Sequence, residues 1–188
     1  YLGGVHTVLI THRHQDHWLP GNLHWREPGF AATPVSPLTV FGPQDALVDI
    51  ESQVEEATDL AVGVVSAGDQ WSSGAYHITA VPATHGGGTL EPLLYVIDDG
   101  THRVFYATDT SSLGEPAWAL LRSLAPVDLV LLDETAGLGD GGSGHHGFDK
   151  FLRTRARMFK EGVITAQSTM IAHHFSHNGG YRLGRGRR

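Results

Sequence analysis

The segment from His12 to His17 has the clearest chemical potential in this chain. It reads His-Arg-His-Gln-Asp-His and directly follows a short apolar run. In an extended segment, residues two apart point to the same side, so His12 and His14 can reach one ion. A turn then lets Asp16 and His17 face a neighbouring position. Zinc, manganese and iron all accept imidazole and carboxylate ligands, so the spacing predicts a metal site rather than a polar loop that is merely rich in histidine.

Three further residues of the same chemical types lie where apolar, strand-like segments end. They are His85, Asp109 and His174. An α/β scaffold usually presents its chemistry at the ends of strands. Each residue taken alone could cap a turn or lie on the surface. Together with the first motif, they indicate a single site.

The composition is typical of one globular enzyme domain. The chain has 188 residues, of which 40% are hydrophobic and 18% charged, enough for one core or most of one. The absence of cysteine excludes disulfides, thiolate ligands and thiol nucleophiles. A formal charge of −7, from 13 basic and 20 acidic residues, argues against a broad nucleic-acid-binding surface. We expect a cytoplasmic protein without membrane spans, since no apolar run approaches ~20 residues and no signal peptide is recognisable.

The ends of the chain predict a partial domain. The sequence begins with Tyr1 rather than Met, which suggests a fragment or a processed form. Residues 179–188 combine arginine with glycine and are predicted to be a disordered basic tail. Residues 1–178 are therefore expected to form the partial folded domain itself.

Apolar periodicity predicts strands that alternate with helices, which is typical of an α/β layered fold. Two of the strands are joined by a hairpin turn at Asp98-Asp99-Gly100. The predicted strands are 7–11, 38–42, 76–82, 93–98, 103–107, 128–133 and 169–172. The predicted helices are 43–60, 115–123 and a segment that begins near 148 and ends at Gly162.

The ligand candidates, in their order along the chain, resemble those of the metallo-β-lactamase superfamily. The resemblance covers about residues 5–178, and it implies an αββα sandwich with a binuclear site at one sheet edge. The motif residues are His12-x-His14-x-Asp16-His17, then His85, Asp109 and His174.

The resemblance also implies how the ligands divide between two divalent ions. Zinc is the expected metal, with manganese and iron as alternatives. By position, the first metal would be bound by His12, His14 and His85, the second by Asp16, His17 and His174, and Asp109 would bridge them.

The chain departs from a complete family member at both ends. Such domains usually have several strands before the histidine-rich turn, and little sequence follows His174 here. We therefore expect N- and C-terminal truncation of the sandwich. An unpaired strand would leave a sheet edge that a homodimer partner could cover.

Two cations held ~3.5 to 4 Å apart would lower the pKa of a shared water and neutralise charge on a phosphoryl or carbonyl oxygen. This implies a metal-dependent hydrolase whose nucleophile is a metal-activated hydroxide. Asp16 would bind metal and orient that hydroxide, rather than act as a free general base.

Several features resemble the phosphodiesterase side of the superfamily. The absence of cysteine is a poor match to the antibiotic-hydrolysing branch with a cysteine ligand, and His12-x-His14 differs from the His-x-Glu of the di-iron flavoproteins. The segments 133–135, 144–145 and 174–178 resemble tRNase Z and the cyclic phosphodiesterase of phosphonate breakdown.

In those phosphodiesterases, a histidine at the start of a helix assists the leaving group. By position this is His145, with His146 as the alternative. Such a general acid is worth roughly 10² to 10⁴ in rate. Glu134 is predicted to hydrogen-bond to this imidazole and orient it.

The preferred substrate is a small phosphodiester, possibly cyclic in form. RNA is disfavoured by the acidic charge, by His177 where tRNase Z usually has arginine, and by the lack of a long basic arm. Two alternatives stay open. One is a lactone or thioester hydrolase of the same fold, and the other is a non-catalytic remnant that binds metal.

Overall fold

The fold is given by a computed structural model that describes residues 4–31, 35–48, 50 and 59–177. Within these ranges the chain forms β-strands, α-helices and one 3₁₀ helix, Pro20–Arg26. The α-helices are α1 (Gln44–Leu47), α2 (Glu115–Leu124) and α3 (Phe148–Lys160). The strands are β1 (Thr7–Leu9), β2 (Leu38–Gly42), β3 (Leu60–Val64), β4 (Gln70–Ser73), β5 (Tyr76–Pro82), β6 (Leu93–Asp98), β7 (Arg103–Ala107), β8 (Leu129–Asp133) and β9 (Thr169–His173).

The strands form two sheets. The first contains β1, β2 and β3 in that order, and all of its pairs are parallel. The second runs in order from β4 to β9, with antiparallel pairs as far as β7 and parallel pairs from β7 to β9. Strands β5, β7, β8 and β9 therefore point the same way, and their carboxyl ends share one edge of the sheet.

Alternation along the strands explains how the sheets pack. In β2, Leu38 and Val40 face a cluster that includes Leu47 of α1, whereas Phe41 faces the second sheet. In β6, Tyr95 contributes to the cluster between the sheets. Because successive side chains point to opposite faces, each inner strand supplies two separate cores.

The outer core of the second sheet lies under α2 and α3. Trp118 and Leu121 of α2 and Met158 of α3 pack with buried strand residues such as Phe105. The resulting order of layers, α1, first sheet, second sheet and then α2 with α3, confirms the predicted αββα sandwich. None of the helices in the described ranges is long and apolar enough to cross a membrane.

The predicted helix 43–60 is wrong at its end. In the described part of that segment, Val48 follows α1 as a turn and Ile50 has a 3₁₀ conformation, while residues 49 and 51–58 lie outside the described residues. Leu60 instead begins β3, where it pairs with Leu38 of β2. Strand β4, which sequence analysis does not predict, is a polar edge strand that pairs with β5 and with no other strand among the described residues. Strands β3 and β4 both form by pairing with a neighbouring strand, and sequence periodicity does not reveal such pairing.

The predicted hairpin turn between β6 and β7 is confirmed. The two strands are antiparallel, and Gly100 has a φ of 85°, a backbone conformation that glycine adopts easily. The side chain of Asp98 accepts a hydrogen bond from the Gly100 N–H at 2.7 Å. The turn is therefore stabilised by its own side chains.

The histidine-rich segment after β1 is held by both sheets. The Ile10 N–H donates to the Phe41 carbonyl of β2 at 2.8 Å. The Tyr95 hydroxyl donates to the Ile10 carbonyl at 2.6 Å, and the Leu93 N–H donates to the Thr11 carbonyl at 2.8 Å. These bonds fix the backbone immediately before His12.

We expect Tyr95→Phe to lower the free energy of unfolding by about 1 to 3 kcal/mol, because it leaves the buried Ile10 carbonyl without this donor. Urea denaturation followed by circular dichroism measures the change. Tyr76→Phe is the matched control, since it removes the same atom from an exposed residue of β5. Equal effects of the two substitutions would contradict the role given to the Tyr95 hydroxyl.

Candidate metal centre

The ligand candidates converge at the carboxyl ends of the strands. The histidine-rich loop follows β1, His85 follows β5, Asp109 follows β7 and His174 follows β9. Three of these strands point the same way within the second sheet. The topology therefore brings together residues that are far apart in sequence.

The first group of ligand atoms contains His12, His14, His85 and Asp109, and these atoms all lie within 4.8 Å of one another. Nε2 of His12 is 2.9 Å from Nδ1 of His14, which is 3.2 Å from Nε2 of His85. The Oδ2 atom of Asp109 lies 3.3 Å from Nε2 of His12 and 3.6 Å from Nε2 of His85. This set could hold one metal ion.

The second group contains Asp16, His17, Asp109 and His174, under the same distance limit. Nε2 of His17 lies 2.9 Å from Oδ2 of Asp109 and 3.5 Å from Oδ2 of Asp16. Nδ1 of His174 lies 2.9 Å from the other oxygen of Asp109. The two groups share Asp109, so the carboxylate lies between two potential ion positions.

The spacing of these atoms fits a metal ion. Tetrahedral ligands with bonds of about 2.0 to 2.2 Å lie roughly 3.3 to 3.6 Å apart, close to the separations in both groups. The buried Nε2 of His17 and Oδ1 of Asp109 have no hydrogen-bond partner of acceptable geometry among the described residues. Polar atoms buried in this way are expected to have a partner, and a cation between them would supply one.

The Asp109 carboxylate is the centre of the arrangement and is almost fully buried, with 3% of its surface exposed. Burial by itself raises its pKa, but the imidazoles of His12, His17 and His174 lie close to the carboxylate, outweigh that effect and hold the pKa well below its usual range. Asp109 also has a φ of 49°, and His174 a φ of 64°, which are uncommon values outside glycine. Strained backbone of this kind often occurs at functional sites.

The histidines differ in their proton affinity. Burial lowers the pKa of His85, and desolvation together with the neighbouring His12 lowers that of His14. Lowered values favour the neutral imidazole, which is the form that binds metal. The pKa of His174 is raised, mainly because its Nδ1 lies 2.9 Å from Oδ1 of the Asp109 carboxylate.

Comparisons with known proteins identify the family and the fold of this chain. A family profile described as "Beta-lactamase superfamily domain" matches residues 2–175. The chain belongs to the metallo-β-lactamase superfamily. No curated protein matches this chain significantly.

Solved structures of the same superfamily fold are similar to this chain at low identity. The metallo-β-lactamase fold protein YhfI from Bacillus subtilis has 20% identity and a TM-score of 0.68 over 92% of this chain and 65% of that one. A diphosphatase from the PhnP family has 18% identity and a TM-score of 0.64, over 92% and 60%. The short form of human tRNase Z has 17% identity and a TM-score of 0.65, over 94% and 75%. This chain thus spans between 60% and 75% of the length of these three proteins.

Polar contacts on the side away from the metal centre set the orientation of two ligand rings, those of His85 and His12, in this superfamily member. Nδ1 of His85 donates to the Gly144 carbonyl at 2.9 Å, which directs Nε2 towards the metal centre. Nδ1 of His12 lies 3.0 Å from the Thr11 hydroxyl, which has the same effect. The carbonyl partner fixes the tautomer of His85, and both contacts hold the position of a ligand ring.

His145 lies at the metal centre, but its orienting partner is not the predicted one. Its Nδ1 donates to Oδ2 of Asp133 at 3.0 Å and lies 3.5 Å from Oδ1 of Asp109. The prediction that Glu134 orients this ring is therefore wrong, because Asp133 occupies that position. Neither Glu134 oxygen has a hydrogen-bond partner among the described residues. Alternation at the end of β8 turns the two carboxylates to opposite sides.

His146 is fully buried away from the centre. Its Nδ1 lies 2.7 Å from the Thr110 carbonyl and its Nε2 lies 2.9 Å from the Thr154 hydroxyl, so both ring nitrogens have partners. Burial lowers the pKa of this imidazole. Of the two adjacent histidines, only His145 lines the cavity of the metal centre, which has a volume of about 410 Å³.

Asp133 is the residue that sequence analysis missed. It joins Asp109, His145 and His174 in a third group of close ligand atoms. It also accepts hydrogen bonds from the backbone N–H groups of Thr135 and His146. The sequence feature that points to Asp133 is its position at the end of a predicted strand, as for the other candidate ligands.

Replacing Asp109 tests whether the cluster binds metal. We expect Asp109→Asn to weaken binding of a divalent cation at least about 100-fold, since even groups behind a ligand are worth 10- to 100-fold. Asparagine tolerates positive φ, so the backbone should be preserved. Elemental analysis and calorimetric zinc titration measure the effect.

Asp59→Asn is the matched control for this substitution. Asp59 is exposed and has a φ of 47°, but it lies outside the ligand groups of the described residues. It should leave metal binding unchanged. Undiminished metal content in Asp109→Asn would rule out the proposed central ligand.

Proposed function

We propose that this superfamily member is a metal-dependent phosphodiesterase with two divalent cations. The observation that carries the proposal is the pair of ligand groups that meet at Asp109, with His145 at their edge. Binding of two ions would account for both groups at once. The proposed ligands are His12, His14 and His85 for one ion and Asp16, His17 and His174 for the other, with Asp109 between them.

Bound divalent cations supply a water of lowered pKa and stabilise negative charge on a phosphoryl oxygen. The fold contributes by holding the ligand side chains in one arrangement around the metal positions. Asp16 is exposed, with 70% of its side chain accessible, and lines the cavity of the metal centre. We infer that it binds metal and orients the attacking water, as the sequence predicts.

His145 is the proposed proton donor to the leaving oxygen. Because a carboxylate can only accept, the bond from Nδ1 to Asp133 places the proton on that nitrogen. Nε2 is then the ring atom available to the substrate. Protonation of both nitrogens would allow Nε2 to donate to a departing alkoxide, while Asp133 stabilises the positive ring.

A phosphodiester is favoured over other substrates for two reasons. His145 supplies a leaving-group acid, which an alkoxide needs. Similar folds include a diphosphatase and a tRNase Z, although their low identity is evidence of fold alone. The net charge of −7 favours a small substrate over RNA.

Zinc is the proposed metal, with manganese and iron as alternatives that the same ligands accept. A homodimer and a cytoplasmic location remain predictions.

Turnover of model substrates tests the reaction class. We expect the zinc-loaded protein to hydrolyse bis(p-nitrophenyl) phosphate, to lose this activity with a chelator and to regain it when zinc is restored. A simple lactone should not be hydrolysed at a comparable rate. Lactone turnover alone would favour the alternative hydrolase, and metal binding without any turnover would favour the non-catalytic alternative.

Replacing His145 tests its role as an acid. His145→Ala should lower kcat about 10²- to 10⁴-fold for a phosphodiester with an alkoxide leaving group. For p-nitrophenolate, which leaves without protonation, the loss should be less than about tenfold. His102→Ala is the control, because His102 lies in the exposed turn between β6 and β7. Equal losses for the two leaving groups would exclude an acid role.

A further inference from the structure

A second cavity adjoins the metal centre. It has a volume of about 670 Å³, within the range of small-molecule sites. Phe175 and Ser176 line both this cavity and that of the metal centre. A ligand could therefore occupy both cavities at once, with its phosphate at the metal centre.

The walls of this second cavity are aromatic. Phe148 and Phe151 come from the first turns of α3, and Phe175 comes from the segment after β9. Phe148 and Phe175 are largely exposed, at 47% and 59%. Exposed aromatic rings that flank a cavity are suited to stacking against a planar ring.

A carboxylate also lines the cavity. Glu134 has only 1% of its surface exposed, and neither of its oxygens has a hydrogen-bond partner among the described residues. A buried acceptor without a donor is costly, which is a reason to look for a ligand that supplies one. Glu134 is not used by the reaction proposed above.

The backbone explains why Glu134 faces this cavity. The Glu134 N–H donates to the His173 carbonyl at 2.9 Å, which continues the pairing of β8 with β9. Leu132, two residues earlier, packs into the core under α3. Residues two apart share a face, so Glu134 is directed towards α3 while Asp133 faces the metal centre.

A ligand that fits both the walls and the carboxylate must be planar and must present adjacent N–H donors. Two carboxylate oxygens accept two parallel N–H bonds well. Among the bases that a phosphodiester carries, guanine presents two such donors on one edge, its ring N1–H and its exocyclic amine. Adenine presents only its exocyclic amine on the corresponding edge.

We propose that this cavity binds the guanine base of the substrate and that Glu134 determines the preference for guanine. The inference rests on the proposed phosphodiesterase function and specifies its substrate class. Stacking on Phe148 and Phe175 would bind any base, whereas the two oxygens of Glu134 would select guanine.

The test compares guanosine, inosine and adenosine 2′,3′-cyclic phosphates as substrates. The kcat/KM for guanosine should exceed that for adenosine by about tenfold or more, which is the discrimination expected of one bidentate pair. Inosine, which lacks the exocyclic amine, should fall between them. In Glu134→Gln the ratio of guanosine to adenosine should drop below about threefold.

Two further variants separate recognition from stability. Glu161→Gln makes the same change just after the far end of α3, where Glu161 forms ion pairs with Arg122 and Arg157, and should keep the wild-type ratio. Phe148→Ala should lower kcat/KM about tenfold for every base while preserving the ratio, because stacking does not discriminate between bases. Calorimetric Kd values for guanosine and adenosine 2′-monophosphates give the same comparison without turnover.

The outcomes distinguish this inference from the proposed function. Hydrolysis of bis(p-nitrophenyl) phosphate with no preference for guanine would overturn the guanine site alone. An unchanged ratio in Glu134→Gln would overturn the role of Glu134. Failure to hydrolyse any phosphodiester would overturn the proposed function, and the nucleotide Kd values would still decide whether the cavity prefers guanine.

Discussion

The burial of one carboxylate among imidazoles is the constraint on which the rest of the structure depends. Asp109 is almost fully inside the protein, and three histidine side chains lie within 3.3 Å of its oxygens. A buried charge without partners is strongly unfavourable, so the fold must bring donors or cations to it. The imidazole nitrogens lie beside the carboxylate, and the same atoms are the ones that a bound ion would use. The pKa of Asp109 is low because of these neighbouring imidazoles.

Packing of the sandwich fixes the positions of the candidate ligands. The loop that begins at His12 is tied to β2 through Phe41 and to β6 through Tyr95 and Leu93. These contacts belong to the core between the sheets rather than to the site. The positive φ values of Asp109 and His174 cost roughly 1 to 3 kcal/mol each, and such conformations persist where surrounding structure determines them. Core stability and ligand geometry are therefore coupled.

The end of β8 separates two chemical environments. Asp133 accepts hydrogen bonds from His145, from Thr135 and from a backbone N–H, so its oxygens are well supplied with donors. Glu134, the next residue, has none from the described residues and lines an aromatic cavity instead. Strand alternation is sufficient to give two adjacent carboxylates different surroundings. In our proposals, the first supports proton transfer and the second selects the substrate.

The sequence by itself determined the types and order of the candidate ligands and most of the strands that end beside them. Both are local properties, since an apolar run and a spacing of two residues do not depend on distant partners. Strands β3 and β4 were missed, because their existence depends on pairing with β2 and β5. The sequence predicts Glu134 as the residue that orients His145, whereas the structure shows its neighbour Asp133 in that position. Only the tertiary structure decided these points, because the direction of a side chain at a strand end and the partner of an edge strand are set by contacts between residues far apart in the chain.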